Sequence, residues 1–393
     1  MLILSYVFYT IVAIYSVGIL LFLLGLYFAK KSRSTKKPFV SVVVAARNEE
    51  DNIGKCLDGL ARQTYPKELH EIIIVSDNSQ DRTDEIIESY SKKFPNIRLL
   101  RVDGVPDGIT PKKNAITNGI KNSKGEIIVT TDADCEVKPT WVETMVSYFT
   151  DEIGMVVGFS QFGKKGEKQS LLENFQALDF LSLMASAEGS SNLGIPLAAS
   201  GQNLAYRREA FEQVGGYAKV GHRVSGDDVL LLQLVKHRTK WKICFAHDEK
   251  SHNVTKAEKS LADFINQRIR WASNGPYQIF LDIPFFLYIL NVFLANVGLI
   301  TSLVGAILSL LPWKFFLITW SVKTALEFIV MTKCATAFRR TDLLKYFPVW
   351  ALLQIPYIVL VGSLSSFGNF TWKDRKHGFM KQYLKWGEKK RSA

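Results

Sequence analysis

Three stretches of this chain, residues 1–29, 283–313 and 346–372, contain no charged side chain. A helix needs roughly 20 apolar residues to cross about 30 Å of hydrocarbon. Each stretch is therefore long enough to span a bilayer. Residues 315–333 form a weaker fourth candidate, interrupted by Lys323 and Glu327. These two stand one helical turn apart, placed to neutralise each other on one face. Composition alone hides this pattern. The hydrophobic fraction is 47% and the mean hydropathy +0.06, because apolar ends are averaged with a polar middle.

Charge sharpens the boundaries. Lys30, Lys31, Arg33, Lys36 and Lys37 follow the first run with no acid among them, and residues 373–393 hold eight basic and two acidic side chains. Together the two clusters supply 11 of the formal net charge of +12. The basicity thus sits at the membrane boundary, where anionic headgroups attract it, and no basic stripe marks the middle as a nucleic-acid surface. The positive-inside rule places Lys30 onward in the cytosol and the N-terminus outside. The first run reads as an anchor and not as a cleaved signal peptide, since no basic stretch precedes it and its charges come afterwards. Four spans in this order would leave the basic tail outside, against the same rule. A re-entrant last segment, bent at Pro348 and Pro356, would return it to the cytosol.

Four cysteines without a C-x-x-C and six histidines without an H-x-x-x-H argue against a zinc site or a disulfide framework and agree with a reducing compartment. Between residues 38 and 280 the pattern alternates instead. Apolar runs at 39–46, 71–76, 97–102 and 126–131 are separated by helical stretches at 51–63, 81–94 and 112–121. Such alternation implies βαβ crossovers and a mostly parallel sheet, in which ligands bind beyond the carboxyl ends of the strands. The domains expected are an N-terminal transmembrane helix (1–29), an α/β domain (38–280), a C-terminal transmembrane region (283–372) and a basic tail (373–393).

Polar residues gather where the strands end. Arg47-Asn48-Glu49 follows the first run, Asp77-Asn78-Ser79 the second, and Asp132-Ala133-Asp134 the fourth. Any one of these serves equally as a turn or cap; three on one sheet edge argue for a site. No G-x-G-x-x-G follows the first strand and no G-x-x-x-x-G-K-[ST] occurs, which disfavours a dinucleotide fold and a P-loop. Asp132 and Asp134 can converge on one hard cation, Mg²⁺ or Mn²⁺, shared with substrate phosphates. Asp77 can accept hydrogen bonds from a base or ribose edge, and Lys112 or Lys113 can meet a diphosphate. Downstream, Asp227-Asp228 opens an apolar run, either as a helix cap or as a general base kept basic by like-charge repulsion. In Gln267-Arg268-Ile269-Arg270-Trp271, on a helix expected to run into the segment opening at Ile283, Arg270 can pair with a pyrophosphate. Trp271 is either an interfacial anchor or a stacking surface.

Taken in order, Ala46-Arg47-Asn48-Glu49-Glu50, Asp77-Asn78-Ser79, Lys112 with Ala115 and Gly119, Asp132-Ala133-Asp134, Gly201-Gln202-Asn203, Asp227-Asp228 and the Q-x-x-R-W of Gln267–Trp271 resemble the membrane-bound family 2 glycosyltransferases of GT-A fold. Trp372-Lys373-Asp374-Arg375 is a weaker echo. The resemblance implies Asp77 at the uracil side of a UDP-sugar, Asp134 on the metal, Asp132 near the donor sugar, and Asp228 as base for an inverting displacement. Arg47, Glu49 and Lys112 join the donor side. Gly201, Asn203, Gln267, Arg268, Arg270 and Trp271 line acceptor and diphosphate. The pattern departs at Asp227, where Glu is common, at Ser76 beside Asp77, and at Asp374, where glycine is usual.

The function expected is an integral-membrane enzyme, in the plasma or inner membrane, that moves a sugar from a nucleotide-sugar to a lipid or glycan acceptor from the cytosolic side. An oligomer is compatible with this reading. The alternatives are a processive polysaccharide synthase, which shares Q-x-x-R-W, a non-catalytic nucleotide-binding transporter or scaffold, and a nucleotidyltransferase. The last leaves Asp227-Asp228 and Gln267–Trp271 without a task.

Overall fold

The computed structural model describes residues 2–28, 33–367, 369–372 and 375–378. Lys30, Lys31, Lys373, Asp374 and residues 379–393, and with them much of both basic clusters, lie outside the described residues. The chain forms two units, one from residues 29–164 and 191–256, the other from 1–28, 165–190 and 257–393. The expected continuous domain at 38–280 is thus divided: two of its segments belong with the terminal helices.

After helix α1 (Leu2–Gly25) the α/β unit opens with β1 (Val40–Ala46), α2 (Ile53–Ala61), β2 (His70–Ser76), α3 (Thr83–Lys93), β3 (Ile97–Arg101), α4 (Pro111–Lys121) and β4 (Ile127–Thr130). Every strand and helix expected up to that point is present, with small differences at the ends. There follow α5 (Trp141–Ser147), β5 (Ile153–Gly158), β6 (Ser160–Phe162), α6 (Leu171–Asn192), β7 (Leu204–Arg207), α7 (Arg208–Gln213), α8 (Val229–Arg238), β8 (Lys242–Ala246) and β9 (Asn253–Thr255).

The seven-stranded sheet has the order β3-β2-β1-β4-β7-β5-β8. All its pairings are parallel except those of β7, which runs antiparallel to both β4 and β5. Strand order reverses between β1 and β4, because the chain first builds outward through β2 and β3 and then returns. Such a switch opens a crevice at the strand ends. The β-branched strands Val40-Ser41-Val42-Val43-Val44 and Ile72-Ile73-Ile74-Val75 are buried on both faces, as expected for a parallel sheet covered by helices. Val42, Ile74 and Val129 meet Leu57 and Trp141 in one core cluster. Helix α4 lies close on the other face: a Cβ at Gly119 would fall 2.4 Å from Val43 and 2.9 Å from Val75, so this contact needs glycine.

The helical unit holds α1, most of α6, α9 (Leu261–Ala272), α10 (Ile283–Ile307), α11 (Trp313–Ala337), α12 (Phe347–Phe367) and a hairpin of β10 (Asn369–Trp372) with β11 (Arg375–Gly378). Among the described residues four segments, Tyr6–Gly25, Ile283–Ile307, Trp313–Ala337 and Thr341–Ser365, are long and apolar enough to cross a membrane. On α1 the buried residues Phe8, Val12, Tyr15, Ile19 and Phe22 recur at alternating steps of four and three. Ile14 and Val17 are each 56% exposed. One stripe faces helices, and an apolar back faces outward, as a bilayer allows and water does not.

Lys323 and Glu327 pair as expected, with Nζ 2.7 Å and 2.8 Å from the two carboxylate oxygens. The Tyr15 hydroxyl of α1 and the Gln354 amide of α12 also donate to this carboxylate, at 2.6 Å and 3.1 Å. Two expectations are corrected. Helix α9 ends at Ala272; a helical turn, Pro276–Phe280, and an Asp282 cap on Phe285 N–H (3.0 Å) intervene before α10. Helix α12 continues through Pro356 without the expected break, and Pro348 sits in its first turn, where a missing N–H costs little.

Candidate active site

Parallel register brings the strand-end residues to one edge. Ala46 pairs with Ser76, and Val43 with Thr130, so Arg47, Asp77 and Asp132 all follow just past the sheet. The first two loops are laced together. Arg47 Nη1 donates to the Asp77 carbonyl at 3.1 Å and reaches its carboxylate at 3.4 Å. Asn48 (φ +50°) and Asn78 (φ +53°) take the left-handed turns that asparagine tolerates. The Asn48 side chain accepts the Gln80 N–H at 2.9 Å, and the Glu50 N–H donates to Asp81 at 3.0 Å. Asp77 is 6% exposed, held on the platform these bonds build.

The centre of the site is a cluster of carboxylates around Lys112, on the first turn of α4. Its ammonium bridges Asp132 (2.7 Å) and Asp227 (2.9 Å). Burial opposes its charge, but those two carboxylates win and raise its pKa. Asp228 accepts from the Gly201 N–H at 2.8 Å with one oxygen and from the Val229 N–H at 2.6 Å with the other. Both readings of Asp228 are therefore compatible: it caps α8 and stands in the cluster. Burial and then the charge of Asp227 push Asp228 up to about 6. Burial acts the same way on Asp227, but Lys112 and Lys113 overcome it and hold that carboxyl below its usual range. A Cβ on Gly201 would sit 3.0 Å from Asp227 and 3.5 Å from the Lys112 ammonium, so any side chain there would enter the cluster.

Asp134 is raised to about 7, first by burial and then by the charges of Asp132 and Glu49. Positive charge would relieve this repulsion between hard oxygen donors, which is the donor chemistry of a divalent cation. Asp132 and Asp134 therefore fit Mg²⁺ or Mn²⁺. Among the described residues no three His, Cys, Asp or Glu side chains form a nest for an ion. Phosphate oxygens would have to complete the shell.

The structure departs from expectation at Asn203. It is 0% exposed, donating to the Phe159 carbonyl (2.8 Å) and the Ser251 carbonyl (2.7 Å) and accepting from Trp141 Nε1 (2.9 Å). Its amide is committed to the interior and offers no group to an acceptor.

Gln267, Arg268, Arg270 and Trp271 lie on α9 in the helical unit. Gln267 Nε2 donates to Glu258 at 2.8 Å. Arg268, 3% exposed, is held by Asp179 of α6 at 2.9 Å, its guanidinium 4.3 Å from the Trp271 ring centroid. Arg268 is thus an internal strut and not a diphosphate ligand. Arg270 and Trp271 are half-buried. Asp179 and Glu258 were missed because neither stands in a motif, and their partners lie on other elements.

The family described as Glycosyl transferase family 21 matches residues 2–378, and the chain belongs to it. Its relatives include Glycosyltransferase AglE of Haloferax volcanii, 31% identical over 223 residues, which are 54% of this chain and 65% of the relative. Another is Beta-monoglucosyldiacylglycerol synthase of Trichormus variabilis, 31% identical over 270 residues, 66% of this chain and 54% of that protein. The chain thus spans between half and two thirds of the length of these curated relatives. Among solved structures, a mannosyltransferase from Pyrobaculum calidifontis, in complex with GDP-Man and Mn²⁺, matches with a TM-score of 0.60 at 20% identity, over 89% of this chain and 99% of that one. At that identity the likeness is one of fold. The expected family 2-type glycosyltransferase class and its mostly parallel α/β sheet are borne out.

Proposed function

We propose that the chain is an inverting glycosyltransferase that moves a sugar from a nucleotide-sugar, first a UDP-sugar, to a lipid or glycan acceptor at the bilayer. The observation that carries this reading is the cluster of Asp132, Lys112, Asp227 and Asp228 at the switch point of the sheet, with one carboxyl raised and its neighbour lowered. Paired carboxylates pushed apart in this way suit base and electrostatic roles.

Asp77 and Arg47 hold the nucleoside edge. Asp228 accepts the proton of the acceptor hydroxyl. As that proton leaves, the hydroxyl oxygen bonds to the anomeric carbon from the face opposite the diphosphate, the bond from that carbon to the phosphate oxygen breaks, and the nucleoside diphosphate carries the electron pair away. Lys112 stands where its charge steadies Asp132 and Asp227 before the donor arrives. Asp132 and Asp134 would hold a divalent ion, which supplies charge neutralisation to the leaving diphosphate. Gln267, Arg270 and Trp271 serve the acceptor and diphosphate. The relative named as a synthase of beta-monoglucosyldiacylglycerol supports a lipid acceptor, as do the membrane-length helices.

A single addition is favoured over polymer extrusion, because four membrane-length helices are few to line a path for sugars. The test is mass spectrometry of lipid-extractable and water-soluble products after the reconstituted enzyme meets a panel of nucleotide-sugars. One mass increment on a lipid supports the reading. A ladder of long water-soluble chains from the enzyme alone assigns it to the processive synthases instead, and no product with any donor removes the transferase reading.

A further inference from the structure

Lys113 is a buried charge to which the transfer chemistry gives no task; it is 1% exposed. It follows Lys112 on α4, and successive helical residues point about 100° apart. The two ammoniums accordingly face different partners. Lys112 meets side-chain carboxylates, whereas Lys113 donates to main-chain carbonyls, those of Arg223 and, at 2.9 Å, of Ser225.

Those carbonyls belong to the irregular segment that delivers Asp227 and Asp228 to the site. Further ties come from the same place in the fold. Thr110 N–H donates to the Gly221 carbonyl at 2.8 Å, and its hydroxyl to the Arg223 carbonyl at 3.3 Å. The Tyr217 hydroxyl donates to the Asp227 carbonyl at 3.0 Å. Gly226, at φ +84°, turns the chain between the held Ser225 and Asp227. No ladder of strand or helix hydrogen bonds fixes this loop before α8 begins, so the place of Asp228 depends on bonds of this kind.

Asp227 and Asp228 favour the ammonium of Lys113, while Arg223 and Lys112 oppose it; burial, the largest influence, pushes it down to about 7. A neutral donor could tie the same carbonyls without burying a charge. A cation there does something a neutral donor cannot: it also lowers the carboxyl of Asp227.

We propose that Lys113 is a positioning residue for proton acceptance, anchoring the 221–228 loop through the Arg223 and Ser225 carbonyls and setting a cation behind the Asp227–Asp228 pair. The proposal rests on the reading of Asp228 as base. It is tested with Lys113→Gln, which keeps a donor and removes the charge, and Lys113→Met, which removes both. Both are compared with wild type and Asp228→Asn in one reconstituted preparation, reading kcat, acceptor KM, donor Kd and the pH profile of kcat/KM. Misplacing a reacting group by about 1 Å costs on the order of 10²-fold. Lys113→Met should accordingly lose about tenfold to hundredfold in kcat with donor Kd nearly unchanged. In Lys113→Gln the acid limb should move about one pH unit upward, because removing a positive charge makes a neighbouring carboxyl harder to ionise. This shift decides the matter if Lys113→Met does not fold. An inactive Asp228→Asn beside Lys113 variants with wild-type kcat and acid limb overturns the Lys113 proposal alone. Full activity in Asp228→Asn overturns the base reading and the proposal with it.

Discussion

Asp228→Asn exchanges one carboxylate oxygen for an amide nitrogen at a position where both oxygens accept main-chain N–H groups, from Gly201 at 2.8 Å and Val229 at 2.6 Å. Asparagine satisfies one of them. The other then faces a second donor, at a cost of about 1–3 kcal/mol. Against this, the folded protein no longer ionises a buried carboxyl. The rise of Asp228 from 3.8 to about 6 corresponds to about 3 kcal/mol at neutral pH. Because the folded pKa is the higher one, that penalty is absent at low pH and is fully present above about pH 6. The two effects nearly cancel at pH 7, so the variant should melt within a few degrees of wild type. A general base contributes about 10²- to 10⁴-fold, about 3–5 kcal/mol of barrier. The expected result is that loss in kcat with donor Kd nearly unchanged. Wild-type kcat/KM should fall about tenfold between pH 7 and pH 5 as the Asp227–Asp228 pair takes up its proton. The measurements are steady-state turnover into a lipid acceptor, donor titration by calorimetry, and a thermal melt. A folded variant within about threefold of wild-type kcat would falsify the assignment and make Asp227 the next candidate.

Asp134→Ala should abolish turnover without lowering the melting temperature, and EDTA should reproduce the loss until Mn²⁺ or Mg²⁺ is restored; retained Mn²⁺, read by electron paramagnetic resonance, should fall in the variant, and full activity in chelator refutes the site. Asn203→Ala should destabilise by about 3 kcal/mol or more, leaving buried partners of its amide unpaired, yet the folded fraction should bind donor as wild type does; selective loss of donor or acceptor affinity would return Asn203 to the site. Lys323→Met strands Glu327 in the helical unit and should cost about 3–5 kcal/mol, whereas Lys323→Met with Glu327→Gln should recover most of it, as read by thermal unfolding in detergent; equal losses would show that the pair's charges do not matter. A reporter fused after Lys37 should behave as cytosolic, and a reporter active only outside the cell reverses the orientation.

The local order of this protein was legible in its residues. Charge-free runs of this length called for helices long and apolar enough to cross a membrane, and the alternation from Val40 to Thr130 admits little but parallel strands and crossover helices. The pairing of Lys323 with Glu327 needed only helical spacing, and Asp77, Asp132 and Asp228 stood out as candidates because each closes or opens an apolar element. Tertiary structure alone decided what those groups meet. Insertion of antiparallel β7 between β4 and β5 brings Gly201 beside Asp228, and α4 carries Lys112 between Asp132 and Asp227. It also turned Asn203 and Arg268 inward, gave Lys113 a loop to hold, and placed α9 with the terminal helices. Periodicity and capping are properties of a few neighbouring residues. Convergence depends on strand order and on which buried charges find partners, and these are settled by contacts between residues far apart in the chain.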